Sequence, residues 1–390
     1  MSDSRVHVAF DEVFADAKEI AKSILSAQAP SVDADARFPQ ESVDTLRSAR
    51  LLSCYVPTEL GGMGLSLANV CSLCELFGRY CASTAMIFAM HQIQVACIVH
   101  HARELPVFER FLKRLVDEQL LIASATTELG TGGDLASSIC GLDVTGNQFR
   151  LVKQAPVISY GEYADFILVT CRADLEAANT DQVQVLVDRQ ETQLEPLSGW
   201  DTLGFRGTCS SGFTLTAKGT TDLILPGNFA LCLSQTMQPV SHLVWGSLWY
   251  GLAAESLAIA RKSVRKSNTN TTDGVAINLV RLAEADEISF SMRGLLHDAV
   301  QEYSCMVEEG MLERAQSFPF AIRSNNVKLR CSELVIEIVS KAVMIIGISA
   351  YRNDSSMSLT RQLRDAYGAM LMVNNDRIRS HNASMQLALR

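Results

Sequence analysis

The feature that most restricts how this chain can fold is a double change of hydrophobic period. From about residue 8 to 120, apolar residues recur at steps of three and four, as in Val8, Phe14, Ala17, Ile20, Ala21, Ile24 and Leu25, the spacing that lines one face of a helix. Near Leu120 the period shortens to two. β-Branched alternation then marks strands at Phe149 to Ser159, Asp165 to Cys171, Val183 to Val187, Gly212 to Thr216 and Thr221 to Leu225, with turns at Gly146-Asn147, Gly161, Gly204, Gly207 and Gly219. After Pro226-Gly227 and a break at Pro239, helical spacing returns in segments near 240–266, 275–314, 320–348 and 358–387, with one polar loop at 268–274. The order predicts an α+β protein in three parts. Residues 1–120 form an N-terminal α-helical domain of four or five short helices, broken at Phe38-Pro39, Tyr55-Val56-Pro57 and Leu105-Pro106; residues 121–232 form a small antiparallel β domain; residues 233–390 form a C-terminal four-helix bundle.

Charge and composition narrow the function. The net charge of -9 and the absence of a basic stripe argue against nucleic acid or an anionic membrane as partner. Apolar stretches such as Val343 to Ala350 fall short of the roughly 20 residues that cross a bilayer, so no membrane span is expected. The start, Met1 to Asp11, carries acid early and lacks an apolar signal core, which reads as cytoplasmic. Eleven cysteines scattered through apolar runs read as reduced core thiols. Cys71, Cys74 and Cys81 cluster, but no second Cys/His pair sits at zinc spacing, so no metal is expected.

The segment Thr127-Glu128-Leu129-Gly130-Thr131-Gly132-Gly133-Asp134 stands where the helical domain hands over to the β domain. Three glycines in four positions let backbone N–H groups turn toward an anionic or polar-ringed ligand. It is neither a Walker loop nor a Rossmann fingerprint, and taken alone a plain turn is the better reading.

Its neighbours carry more. In chain order come Pro57-Thr58-Glu59-Leu60-Gly61-Gly62-Met63-Gly64, the Thr127 to Asp134 loop, Val157-Ile158-Ser159 with Ala164-Asp165, Leu203-Gly204-Phe205-Arg206-Gly207-Thr208, and Arg364-Asp365-Ala366. This series resembles the acyl-CoA dehydrogenase family over nearly the whole chain, and the three-part order is that family's fold. The resemblance implies an FAD enzyme acting on an acyl thioester, held by coenzyme A or an acyl carrier protein. Ala125, Thr126 and Thr127 would meet the flavin ring edge, and Ser159 would approach the ring near N5, since small hydroxyls can donate to a ring nitrogen or oxygen. Gly132 and Gly133 would lie where cofactor or substrate phosphate passes the backbone. Gly347 matches the glycine that lets a partner subunit approach the cofactor, implying a homodimer or homotetramer; a helix C-cap is its other reading.

Departures from the family pattern concern the chemistry. The family's dehydrogenases take the α-proton with a glutamate nine residues after the Arg of Arg-Asp-Ala. Here that place is Val373 or Asn374, and neither can accept a proton. His242, on the first bundle helix ten residues before Leu252, has a suitable pKa for the task; a helix-start histidine satisfied by backbone is the plain alternative, and Asp376 is the rival base. Val157 replaces the tryptophan that shields the flavin, and Arg265-Lys266-Ser267-Asn268 only faintly echoes the pyrophosphate-binding arginine motif. His91 lies in a helix that lines the substrate cavity in this superfamily, though a core histidine is the commoner role. His100 and His101 are adjacent, so they point to different faces. Three functions remain compatible: α,β-dehydrogenation of an acyl thioester with an atypical base, a monooxygenase using reduced flavin and O₂, and a non-catalytic flavin-binding scaffold. The residues specify neither the acyl chain nor the electron acceptor.

Overall fold

A computed structural model describes residues 9–267 and 277–389. The expectations for Met1 to Val8, for the polar loop 268–274 and for Asn268 lie outside the described residues. The N-terminal part holds six α-helices: α1 (Phe10–Ile20), joined through a π turn (Ala21–Leu25) to α2 (Ser26–Ala34), then α3 (Gln40–Ser48), α4 (Leu67–Tyr80), α5 (Ala82–His101) and α6 (Pro106–Glu118). Breaks fall where the prolines place them, with Pro106 opening α6 at a position that has no N–H to lose. Ser66 begins α4 through a capping box with Asn69. α5 has no polar face because it is buried along nearly its whole length.

Seven strands follow: β1 (Ile122–Ala125), β2 (Asp143–Thr145), β3 (Gln148–Ala155), β4 (Phe166–Arg172), β5 (Gln182–Asp188), β6 (Gln193–Ser198) and β7 (Gly212–Thr220). They form a three-stranded sheet ordered β1-β4-β5 and a four-stranded sheet ordered β2-β3-β7-β6. All pairs are antiparallel except β1 with β4. That pair is parallel because β1 leaves the helical domain and the chain returns to it only after a long crossover. The strand expected at Thr221 to Leu225 is instead a 3₁₀ turn (Thr221–Leu223), whose N–H at Thr221 is taken by the Asn147 carbonyl at 2.9 Å, followed by a single bridge from Ile224 to Val185.

In the C-terminal part, α7 (Phe229–Cys232), a second π turn (Leu233–Met237) and α8 (Gln238–Ser267) run on as one helical path. Pro239 therefore does not break the helix. The carbonyl four residues earlier, at Gln235, which a prolyl nitrogen cannot serve, accepts the Tyr303 hydroxyl at 2.8 Å. α9 (Ile277–Glu308) and α10 (Phe318–Ile346) complete the long helices, followed by α11 (Ile348–Tyr351), α12 (Thr360–Leu371) and α13 (Asn375–Ala388). The single fourth helix expected over 358–387 is thus two helices with a junction at Met372 to Asn374. α8 sits between α4 and α10. A Cβ on Gly251 would strike the Glu75 carbonyl of α4, so only glycine permits this close crossing.

Two helical stretches, Ala82–His101 and Phe229–Lys266, are long and apolar enough to cross a membrane, contrary to the sequence expectation. Inside the fold 94% and 78% of their most apolar 18-residue windows are buried, respectively, so they serve as core helices.

The β domain is docked by two of the sequence motifs. Asp365 of α12 is buried and accepts the Phe205 N–H at 2.6 Å, while Arg364 is ion-paired with Asp33 at the end of α2 and donates to the Leu203 carbonyl at 2.9 Å. The Leu203 to Thr208 hairpin and Arg364-Asp365 thus meet each other as structural partners.

Candidate functional site

β1 delivers Ala125, which is fully buried, and then Thr126 and Thr127 at the sheet end. Thr126 Oγ1 lies 2.8 Å from Ser124 Oγ, and Thr127 Oγ1 reaches toward the Val157 carbonyl at 3.4 Å. Two elements nominated separately from the sequence are therefore neighbours. Val157 itself is 37% exposed, so its small side chain leaves that wall open. Ile158 and Tyr160 are locked, the first by its N–H to the Ser211 carbonyl at 2.9 Å, the second by its hydroxyl to the Ile122 carbonyl at 3.0 Å. Between them Ser159 accepts from Ser210 Oγ at 2.8 Å, which leaves its own hydroxyl hydrogen free for a ligand.

The loop after Thr127 is organised by a residue the sequence reading passed over. Glu128 is buried and accepts from Ser138 Oγ at 2.6 Å, from the Ile139 N–H at 3.0 Å and from the Cys140 N–H at 2.7 Å; Lys153 Nζ lies 3.4 Å away and also donates to the Thr170 carbonyl at 2.6 Å. Lys153 was legible in principle, because β3 alternates and position 153 shares the inward face with Phe149, Leu151 and Ala155. A lysine on the apolar side needs an anion. The loop then turns through Gly130, Gly132 and Gly133, all at positive φ.

From the other side α13 closes on this loop. Arg377 donates to the Gly132 carbonyl, and a Cβ at Gly133 would collide with the Arg377 guanidinium. No carboxylate pairs with Arg377 among the described residues, so its charge is left over beside the glycines. No sequence signal singled it out.

The proposed bases are distributed differently from expectation. His242 is 2% exposed on α8, with Nδ1 3.1 Å from the Ser324 carbonyl, and burial together with the Lys328 charge pushes it down to about 3. Such an imidazole is neutral, hydrogen-bonded and far weaker as a base than a free histidine. Asn374 is the N-cap of α13, its side chain accepting from the N–H groups of Asp376 and Arg377 at 2.9 and 3.3 Å. Asp376, in the first turn of α13, is open to solvent and pairs with Arg379 at 3.2 Å. His91 is a core group: Ile122 N–H donates to its Nδ1 at 3.0 Å while Nε2 meets the Leu52 carbonyl at 2.7 Å, and burial pushes it down to about 4. Cys71 and Cys74 are separate buried thiols on α4, both pushed up by burial, the first to about 12.

Gly347 caps α10 at φ 75° and ψ -146°, a backbone conformation L-residues avoid. Nothing lies over it, and Met344, Ile348 and Tyr351 around it are exposed. A separate cavity of about 310 Å³ lies at the C-terminal end of α5 between Tyr55, Leu65, His100 and Ser304; Pro57, Thr58, Glu59 and Gly64 of the first sequence motif line it, and none of the proposed flavin-contacting or base residues does.

The acyl-CoA dehydrogenase N-terminal domain family matches residues 11–119. Cyclohex-1-ene-1-carbonyl-CoA dehydrogenase of Geobacter metallireducens is 22% identical over 353 residues, 90% of each chain. The chain is thus similar to the acyl-CoA dehydrogenase-like flavoproteins, by family model over its N-terminal part and by relatives over most of its length. Among solved structures, butyryl-CoA dehydrogenase from Megasphaera elsdenii superposes with a TM-score of 0.83 at 18% identity, covering 99% of this chain and 100% of that one. FMN-bound TdsC from Paenibacillus sp. A11-2, a dibenzothiophene monooxygenase, also gives 0.83 at 18% identity, covering 97% and 98%. The superfamily scaffold is thus shared by dehydrogenase and monooxygenase alike, and these two superpositions speak to fold alone.

Proposed function

We propose that this protein is a flavin-dependent oxidoreductase that removes two hydrogens from the α- and β-carbons of an acyl thioester, carried on coenzyme A or on an acyl carrier protein. The observation that carries the reading is the wall formed by Thr127, Val157 and Ser159, ending at a glycine loop faced by the uncompensated Arg377. These residues fit a phosphate-bearing flavin. Ala125, Thr126 and Thr127 end β1 beside the ring-binding wall; the free Ser159 hydrogen can donate to the ring; Gly132 and Gly133 admit a phosphate close to the backbone; and Arg377 supplies its counter-charge. A flavin bound there supplies a two-electron acceptor, with FAD the form the resemblance implies and FMN the one found in TdsC.

For proton removal the reading rests on Asp376, because it is an ionisable carboxylate in the turn that faces the glycine loop, whereas His242 is buried and neutral. A homodimer or homotetramer is part of the proposal, supported by the open space over Gly347 and the exposed Met344, Ile348 and Tyr351. So is a cytoplasmic location, supported by eleven cysteines that are all unpaired.

A second reading, a monooxygenase using reduced flavin and O₂, is favoured by the junction itself: Val373 and Asn374 stand where the family has its glutamate. An anaerobic absorbance titration of the flavin-loaded protein with short, branched and long acyl-CoAs separates the two. Dehydrogenation predicts bleaching by thioester alone, lost in Asp376→Asn with flavin retained. Flavin that stays oxidised with every acyl-CoA, together with O₂ uptake only when reduced flavin is supplied, would instead establish the second reading.

A further inference from the structure

Burying an ammonium group without a counter-charge is costly, so a fold that keeps one needs a reason. Lys328 of α10 is fully buried, and no carboxylate pairs with it among the described residues. Its Nζ donates to the Val373 carbonyl at 3.1 Å and to Asn375 Oδ1 at 2.6 Å, and Asn375 Nδ2 in turn donates to Ser332 Oγ at 3.0 Å. Val373 has φ 43°, a conformation β-branched residues rarely adopt. The amino group thus pins the carbonyl of a strained residue at the α12–α13 junction. Two residues past Asn375, Arg377 makes its contact with Gly132.

We propose that Lys328 is the positioning residue of this junction, fixing Val373 and Asn375 and, through them, the reach of Arg377 to the glycine loop. The charged and titratable groups around it are His242 from α8, held neutral, and Arg379 from α13, which is engaged by Glu333 and Asp376. Burial first, and then Arg379, push Lys328 down to about 7, so its charge is lost within the range in which the protein can be studied.

The test uses the full chain as wild type, Lys328→Met and Lys328→Gln, with two readouts. The first is amide hydrogen exchange without flavin. Lys328→Met raises exchange at residues 372–377 and 130–133 but not in β4 or β5, and Lys328→Gln, which keeps a donor, restores protection. The second, which rests on the flavin reading above, is the dissociation constant of FMN and of FAD from pH 6 to 9. Wild-type affinity falls as pH rises through about 7, whereas Lys328→Met is flat and about tenfold weaker at pH 6. Unchanged exchange at 372–377 in folded Lys328→Met, or a rise spread evenly along α10, makes Lys328 a packing residue and overturns the proposal. A Lys328→Met profile identical to wild type does the same. A wild type that takes up neither flavin removes the flavin reading, and exchange then decides the positioning role by itself. If Lys328→Met does not fold, Lys328→Gln carries the test, with protection kept and the pH transition lost.

Discussion

At the residue scale, the histidines show how burial decides a role that residue type leaves open. His91 joins α5 to β1 by accepting from Ile122 and meeting the Leu52 carbonyl, which Gln92 Nε2 also serves at 3.0 Å. His91→Ala therefore leaves the Ile122 N–H without a partner and opens a cavity, and should lower unfolding free energy by about 2–4 kcal/mol in denaturant titrations. His91 and His100 are pushed down to about 4, and His242 to about 3, each first by burial. Between those values and the unfolded value of about 6.5, the unfolded chain binds more protons than the native one, so stability rises with pH through that window and is lost on acidification. Thermal melts from pH 4 to 7 should show this rise, with a smaller slope in His242→Gln; a flat profile would contradict the buried neutral assignments.

At the scale of elements, two docking contacts make measurable claims. Asp365 holds the Phe205 hairpin from α12, and burial pushes its carboxyl up to about 6. A raised carboxyl gives stability that is full below the unfolded value of about 3.9 and fades as pH rises through about 6. Asp365→Asn keeps the acceptor for Phe205 and removes the charge, so its melting temperature should lose this component between pH 4 and 6. The Glu128–Lys153 pair holds the glycine loop on β3. Glu128→Gln leaves a buried lysine uncompensated, at a cost of about 3–5 kcal/mol, and adding Lys153→Met should recover much of it. No recovery in the double variant would mean that the three hydrogen bonds to Glu128, rather than its charge, hold the loop.

At the scale of the molecule, the three-part order was readable because each part imposes its own period over many residues. The strand β1 was not, since four residues of Ile-Ala-Ser-Ala carry no alternation, and it pairs parallel with β4 only across a crossover. The split of the last helix was hidden because Val373 looks like an ordinary helix residue until its carbonyl is seen bound to Lys328. Thr127 and Val157, nominated from separate spaced motifs, do come together as neighbours. Arg377 and Lys328 could not be nominated from motifs, because what distinguishes them is the absence of an anion, which appears only after α10 and α13 pack. A lysine set among buried Val327, Leu329 and Cys331 was the available hint.

The most direct measurement is the dissociation constant of FAD and of FMN for wild type and Arg377→Ala, followed by flavin fluorescence at fixed salt. A wall that ends in an uncompensated guanidinium predicts one flavin per chain and weakening of about tenfold or more in the variant, with the fold unchanged by circular dichroism. Equal affinity in the two proteins, or no uptake of either flavin by wild type, would contradict the site described above.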